Sequence, residues 1–394
     1  MSLSRIRIGV NAYEANVAKR VGSNQYAFRL LEEHEKATRD SSIEWSVYLP
    51  EAPLFDMPKE RAGFHYVICP PKKLWTQWRL PFELYRNKGN LDVFVSLGHY
   101  APRFCPVPSV ICILDLAYLK FPQFFLPKDL YQLREWTRYS VKKASHVFTI
   151  SKASLFDIKE FYGKDESSIS IVYPGVEAMT VLDQGINDHT ASTLEKFGLK
   201  RQQYIVSVGT IQPRKNMITA IRAFEALVTN SQIPESTKLV FVGKAGWMTA
   251  EFDDAVSQSP VKERIIVTGY VEEVEKQTLL AQASASFMVG FYEGFGIPVV
   301  ESLLHGVRPV VANTSSLPEV AGEFALLVDP YDVSSVANGF ARAVAKVPDQ
   351  MERARMREWA KQFSWEASSQ KMLDILIEKF GRKEATQQQT DEIK

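Results

Sequence analysis

The sequence predicts an α/β protein of two doubly wound domains, each a mostly parallel sheet covered by helices on both faces. Three observations lead there. The chain has 394 residues, beyond the size at which one hydrophobic core stops growing, so two domains are expected. Short apolar runs alternate with helical periodicity along the chain. The alternation comes in two series, interrupted by one polar stretch, LDQGINDHTAS at 182–192.

The first series places strands at IRIGVN (6–11), WSVYL (45–49), DVFVS (92–96), SVICIL (109–114), HVFTI (146–150) and SISIVY (168–173). Apolar runs this continuous suit parallel strands buried on both faces. Helical patterns lie between them, as in DLYQLREWTRYSVKKA (129–144) and KASLFDIKEFY (152–162). The polar stretch at 182–192 reads as a linker. The second series places strands at YIVSVG (204–209), KLVFVG (238–243), RIIVTG (264–269), SASFMVG (284–290), RPVVA (308–312) and ALLVD (325–329), with a helix over NMITAIRAFEALV (216–228) among others. The resulting domains are 1–185 and 193–362. The tail QQQTDEIK (387–394) is polar and expected to fray.

Composition is that of an ordinary globular protein, 45% hydrophobic and 24% charged, and the net charge of +1 gives no ground for a nucleic-acid partner. Cys69, Cys105 and Cys112 form no Cys-x-x-Cys pair and read as reduced, mostly buried thiols of a cytoplasmic protein. The start MSLSRIRIGV lacks the apolar core of a signal peptide. No run of about 18 apolar residues offers a membrane span.

In open α/β sheets ligands bind beyond the carboxyl ends of the strands. Three clusters stand there. The first is FYEGFGIPVVES (291–302). Pro298 suits the first turn of a helix running to about His305, with Gly306 just past its end. The loop Glu293–Ile297, with an exposed-looking Phe295, then leads into a helix N-terminus that favours an anion. Gly294 and Gly296 admit close backbone approach by a ligand. Glu301, placed on the first turn, is suited to accept two hydrogen bonds from a ribose diol. The alternative is a capping acid on an ordinary loop.

The second cluster is GTIQPRKN (209–216), from Gly209 to Asn216. Arg214 and Lys215 precede a helix whose dipole prefers anions, so a diphosphate between the cations and the helix makes sense of them. The alternative is a solvated basic loop. The third is the loop after IRIGVN, where Gly22 and Ser23 precede a helix beginning near Asn24. One glycine is a weak signal, and a simple turn explains it as well.

Together these residues resemble glycosyltransferase family 4, the retaining nucleotide-sugar transferases of GT-B fold, in which two Rossmann-like domains face each other across a cleft. Glu293 and Glu301, with seven residues between them, match the family's glutamate pair, and Gly209–Asn216 matches its phosphate loop. GKAGW (243–247), TGYVEEVEKQTLLAQASA (268–285) and LPEVAGEFALLVDPYD (317–332) also resemble the family. So do TISKASLFDIKEFYG with VYPGVE in the first half, and SWEASSQKMLDIL (364–376), which resembles the final helix that crosses back to complete the first domain over 364–380.

The resemblance implies roles. Arg214 and Lys215 bind the donor diphosphate, and Glu301 binds ribose. Glu293 and the amides of Phe295–Ile297 face the transferred sugar and its phosphate. The base lies near Lys244 and Tyr270. The loop at Gly22 and Ser23 closes over the diphosphate and places the acceptor. The substrate is a nucleotide diphosphate sugar, GDP-mannose first and UDP-hexose next, with no separate cofactor. The acceptor is a glycan or a lipid-linked glycan of a polysaccharide pathway, met at the inner face of the cell membrane. No two aspartates lie two positions apart, so the metal-binding Asp-x-Asp of the other large transferase fold is missing and no metal is expected. PKKLWTQWRLPFELYR (71–86) mixes Trp75 and Trp78 with cations and reads as a packed surface helix or as a peripheral membrane contact.

One position departs from the family. Leu114-Asp115 stands where many relatives carry His-Asp, and leucine neither donates nor accepts a hydrogen bond. His99, in SLGHYAP, lies at another carboxyl strand end, where it enters the cleft or is a satisfied structural histidine. The readings that rival a working transferase are a nucleotide-sugar-binding protein without activity and a sugar-nucleotide epimerase.

Overall fold

The structure, a computed structural model, describes residues 6–20, 22–177 and 186–382. The expected frayed tail and the first part of the expected linker, 182–185, lie outside them. Two parallel sheets form. The first is built from β1 (Ile6–Asn11), β2 (Ile43–Leu49), β3 (Phe64–Ile68), β4 (Val93–Ser96), β5 (Ser109–Ile113), β6 (His146–Thr149) and β7 (Ile169–Ile171), in spatial order 3-2-1-4-5-6-7. The second is built from β8 (Tyr204–Val208), β9 (Lys238–Val242), β10 (Ile265–Gly269), β11 (Ala285–Met288), β12 (Pro309–Ala312) and β13 (Leu326–Val328), in order 10-9-8-11-12-13. Both orders are those of the doubly wound dinucleotide-binding fold.

The apolar runs became strands because both faces are covered. Every residue of β4, β5, β8 and β11 is buried. β3 is the strand that the apolar-run criterion missed. It is one of the two edge strands of its sheet, and only Phe64 of FHYVI is buried, so much of it faces solvent and no continuous apolar run forms.

The expected linker at 182–192 needs a correction. Ile186–Lys196 is a helix, and Leu194 packs with Leu199, Leu279 and Leu280 of the second domain. Thr190 and Thr193 are buried beside Leu194, so polar residues fill part of its inner face, and Lys196 pairs with Glu275 at 2.6 Å. The segment 71–86 is likewise no single helix. A π-helical turn, Trp75–Arg79, runs into the α-helix Leu80–Asn87.

The helix Trp365–Phe380 packs on the helix Ser23–Ala37 of the first domain, where His34 Nδ1 lies 2.7 Å from Ser369 Oγ. Its apolar face belongs to one buried cluster that holds Ile8 and Val10 of β1, Met372, and Phe295 and Val299 of the second domain. The two domains therefore share part of a core. Polar contacts join them too. Tyr292 Oη donates to Asp157 Oδ2 at 2.6 Å, beside Lys120 Nζ at 2.5 Å from Asp157 Oδ1, and Tyr173 Oη donates to Glu319 at 2.7 Å.

Candidate active site at two switch points

The strand order reverses between β1 and β4 in the first sheet and between β8 and β11 in the second. A crevice opens outside the carboxyl ends of the strands at such a point, because neighbouring loops leave in opposite directions. The loops after β8 and β11 carry Arg214, Lys215 and Glu293. Those after β1 and β4 carry Glu14 and His99.

At the second switch point Pro213–Lys215 forms one 3-10 turn before the helix Met217–Thr229. Arg214 Nη1 lies 3.3 Å from Glu293 Oε2, and Lys215 Nζ lies 2.8 Å from Glu293 Oε1. Arg214 Nη1 also donates to the Tyr292 carbonyl at 2.5 Å. The anion between the cations is here a carboxylate of the chain itself. Glu293 is only 6% exposed. Burial works against its charge, but Arg214 and Lys215 outweigh that cost and hold the carboxyl below its ordinary range. The same attraction outweighs burial at Arg214 and raises its pKa.

Asn216, unremarked in the sequence apart from closing the phosphate loop, fixes the turn. It adopts the left-handed conformation (φ 54°), which asparagine tolerates better than most residues. Its buried Nδ2 donates to the carbonyls of Val289 at 3.0 Å and Pro330 at 2.7 Å. The cationic loop is thereby tied to the ends of β11 and β13.

The loop after β11 is held as firmly. Ser315 Oγ accepts from the Glu293 amide at 2.9 Å, and Ser316 Oγ lies 2.8 Å from the Glu293 carbonyl and 2.9 Å from that of Phe295. These serines gave no sequence signal, since nothing in NTSS distinguishes a positioning loop from any other turn. Phe295 is not exposed as it looked. It is 3% exposed and packs against Tyr173 and Phe363, with ring centroids 5.9 and 5.3 Å away. Gly294 has a reason apart from ligand approach. A Cβ there would lie 2.9 Å from Asp115 Cβ across the domain boundary. Gly296 takes φ 105° to start the helix Ile297–Leu304.

Pro298 stands in the first turn of that helix, and Gly306 follows its end with φ 68°. Glu301 sits on the second turn, not the first, and is 6% exposed. Its Oε1 accepts from Lys276 Nζ at 2.7 Å and from Gln277 Nε2 at 3.1 Å, both on the helix Glu273–Ala281. Burial raises its pKa despite Lys276. The structure thus separates the two glutamates. Glu293 joins Arg214 and Lys215, and Glu301 joins Lys276 and Gln277. Neither Lys276 nor Gln277 was legible as a partner, because the contact is made between two helices.

The remaining candidates are spread around the cleft. Gly209 (φ 145°) leaves β8 beneath Lys215, whose Nζ would lie 3.4 Å from a Cβ at that position. Lys244 is exposed beyond β9, and Tyr270 is 73% exposed beyond β10. Gly22 (φ 52°) and Ser23 start the helix Ser23–Ala37, one residue earlier than expected. Asp115 Oδ1 accepts from the Ala117 amide at 3.0 Å. His99 Nε2 accepts from the Leu114 amide at 3.1 Å. That bond makes Nε2 the unprotonated nitrogen and puts the proton on Nδ1, which is buried and has no partner among the described residues. His99 is therefore only half satisfied.

Residues 192–363 match the family described as glycosyl transferases group 1. The chain is a glycosyltransferase. Its GT-B architecture is seen in solved structures. The transferase superposes on WaaG, a glycosyltransferase involved in lipopolysaccharide biosynthesis, with TM-score 0.64 over 93% of this chain and 99% of that one, at 17% identity. With Anabaena HepE in complex with UDP and glucose the TM-score is 0.67 over 94% and 99%, also at 17% identity. Among curated relatives, it is 29% identical over 270 residues to O-antigen chain mannosyltransferase B of Escherichia coli, covering 66% of this chain and 67% of that protein. It is 23% identical to the O-antigen chain mannosyltransferase RfbU of Salmonella typhimurium, covering 71% and 72%. Against the mannosyltransferase WbdA of Escherichia coli, 24% identical, the match spans 30% of that protein's length.

Proposed function

We propose that the transferase moves a hexose, mannose first, from a nucleotide diphosphate sugar to a glycan or lipid-linked acceptor in polysaccharide biosynthesis, with retention at the anomeric carbon. The observation that carries this reading is the cluster of Arg214, Lys215 and Glu293 at the switch point of the second sheet. The named mannosyltransferase relatives support mannose, with GDP-mannose as first donor and UDP-hexoses next.

The chemistry follows from charge. The bond from the anomeric carbon to the diphosphate oxygen breaks, and negative charge grows on the leaving phosphate. Arg214 gives planar, bidentate contacts to such an anion, and Lys215 a point charge. The acceptor oxygen bonds to the anomeric carbon on the face the phosphate leaves. Its proton passes to a phosphate oxygen of the leaving group, so no side-chain base is required. Glu293, already paired with both cations, faces the sugar side. Preorganised charges of this kind need no rearrangement during reaction. Glu301 takes the ribose, and Lys244 and Tyr270 border the base. No separate cofactor enters.

Because side-chain cations supply the charge, a divalent metal is not required. After exhaustive EDTA treatment, GDP or UDP is expected to raise the melting temperature as much as without chelator. A ligand at 100 times its Kd stabilises by about 2.7 kcal/mol. A shift that vanishes in EDTA and returns with Mg²⁺ contradicts the proposal.

Contact with a membrane surface is part of it. No helix among the described residues is long and apolar enough to cross a membrane. Leu74, Trp78, Phe82 and Tyr85 nonetheless stand 51–72% exposed beside Lys72, Lys73, Arg79 and Arg86, the mixture that favours an anionic lipid surface. Sedimentation with phosphatidylglycerol vesicles is expected to pull the protein down and to weaken with Trp78→Ser plus Phe82→Ser. Equal recovery of both forms defeats the contact.

A further inference from the structure

Glu301 sits between the helix that carries it, Ile297–Leu304, and the helix Glu273–Ala281. Three side chains around it form a chain of hydrogen bonds. Lys276 Nζ reaches Glu301 Oε1 at 2.7 Å and Glu273 Oε1 at 2.8 Å. Gln277 Nε2 donates to the same two oxygens, at 3.1 and 2.8 Å. On its other side Gln277 Oε1 lies 2.5 Å from Nε2 of His305, the residue just past the end of the helix Ile297–Leu304. Gln277 and Glu301 are both buried.

Only one arrangement of protons fits. Turned the other way, the Gln277 amide would set its carbonyl oxygen against two carboxylates. It therefore gives one N–H to each of them. A carbonyl oxygen only accepts, so His305 carries its proton on Nε2 and donates it to Gln277. Burial lowers the His305 pKa to about 4, so the ring is neutral near pH 7. The chain then runs in one direction, from His305 through Gln277 to the carboxylates. Glu301 Oε1 takes two of its hydrogen bonds, and Oε2 has no partner among the described residues.

We propose that Lys276, Gln277 and His305 are positioning residues for the nucleotide: they pin Oε1 of Glu301 and leave Oε2 to accept both ribose hydroxyls. The proposal rests on the reading above that Glu301 takes the ribose, and adds how that carboxylate is aimed and kept charged. Its charge needs support. Burial raises the Glu301 pKa and Glu273 adds to the rise, while Lys276 and Gln277 work against it. Burial works against the charge of Lys276 too, but attraction to Glu301 and Glu273 outweighs it and raises the Lys276 pKa. Its aim needs support as well. An unpinned glutamate samples several rotamers, and a ribose that binds only one of them loses affinity to side-chain ordering. With Oε1 held from two directions, that ordering is complete before the nucleotide arrives.

The test is calorimetry on the full chain, comparing GDP with 2′,3′-dideoxy-GDP and UDP with its dideoxy form. In the wild type the two hydroxyls are expected to improve Kd about ten- to hundredfold, a preference that Glu301→Ala removes. Lys276→Met, Gln277→Leu and His305→Leu are each expected to lower the preference about three- to tenfold, the worth of one net hydrogen bond. The Kd of the dideoxy nucleotide should stay at its wild-type value, which also shows that the variant is folded. Lys276→Arg and His305→Gln keep a donor in place and should keep most of the preference. A preference that Glu301→Ala removes but Lys276→Met and Gln277→Leu keep overturns the proposal and leaves the ribose reading standing. Equal loss of affinity for both nucleotides of a pair in these variants gives the chain a structural role only, and overturns the proposal as well. No preference in the wild type with either pair, or one that survives Glu301→Ala, overturns the ribose reading and the proposal with it.

Discussion

Replacing Arg214 and Lys215 together by alanine is expected to lower kcat/KM by about two to four orders of magnitude. A hydrogen bond to a charged group contributes about 1.5–3 kcal/mol, and two are lost, at about 1.4 kcal/mol per decade. The structure adds a second effect. Both cations are spent on Glu293, 6% exposed. Their removal leaves a buried carboxylate without a partner, which costs about 3–5 kcal/mol of stability. Adding Glu293→Gln removes that charge and should return the melting temperature toward wild type while kcat/KM stays low. The pH dependence follows in sign. Glu293 is held below its ordinary pKa, so the cluster stabilises the fold above the ordinary carboxyl range and loses that contribution as pH falls through the lowered value. In the triple variant this acid-side loss should shrink. A folded double variant with wild-type kcat/KM removes the two cations from the reaction.

Glu293→Gln is expected to lower kcat by about two to three orders of magnitude, the usual cost of one preorganised electrostatic group, with nucleotide affinity nearly kept. Glu301→Ala is expected to do the reverse, weakening GDP binding about ten- to hundredfold with a smaller change in kcat. Their surroundings give the reason. Glu293 is fixed between Arg214 and Lys215 where leaving-group charge grows. Glu301 lies one helical turn deeper, with Lys276 and Gln277 bound to one of its oxygens. Equal losses of nucleotide affinity by calorimetry would defeat this division of labour.

Strands buried on both faces were legible because a parallel sheet under two helical layers must write continuous apolar runs. β5 and β11 are such cases, and the solvated edge strand β3 is the exception. The helix Ile186–Lys196 was hidden for another reason, since two of the residues it buries, Thr190 and Thr193, are polar and write no apolar period. At the site, Arg214, Lys215 and Glu293 were legible as charges at strand ends, and their pairing across 79 positions was not. Gly294 was legible as a backbone requirement, but its cause is Asp115 in the other domain. Phe295 was misread because an apolar residue between glycines looks like a loop tip, whereas the neighbouring domain buries it. The misses at the site involve partners far away in sequence, which local pattern does not record.

The most direct test of the central claim is product analysis. Purified full-length protein is incubated with GDP-[¹⁴C]mannose and, separately, labelled UDP-hexoses, together with extracted lipid-linked glycan acceptors and EDTA. The account expects a labelled α-glycoside, formed with retention from one donor, together with the free nucleoside diphosphate. An altered sugar nucleotide without glycoside identifies an epimerase. Tight donor binding with no product from any acceptor identifies a binding protein that no longer transfers, above all if Leu114→His then switches transfer on, and either result contradicts the account.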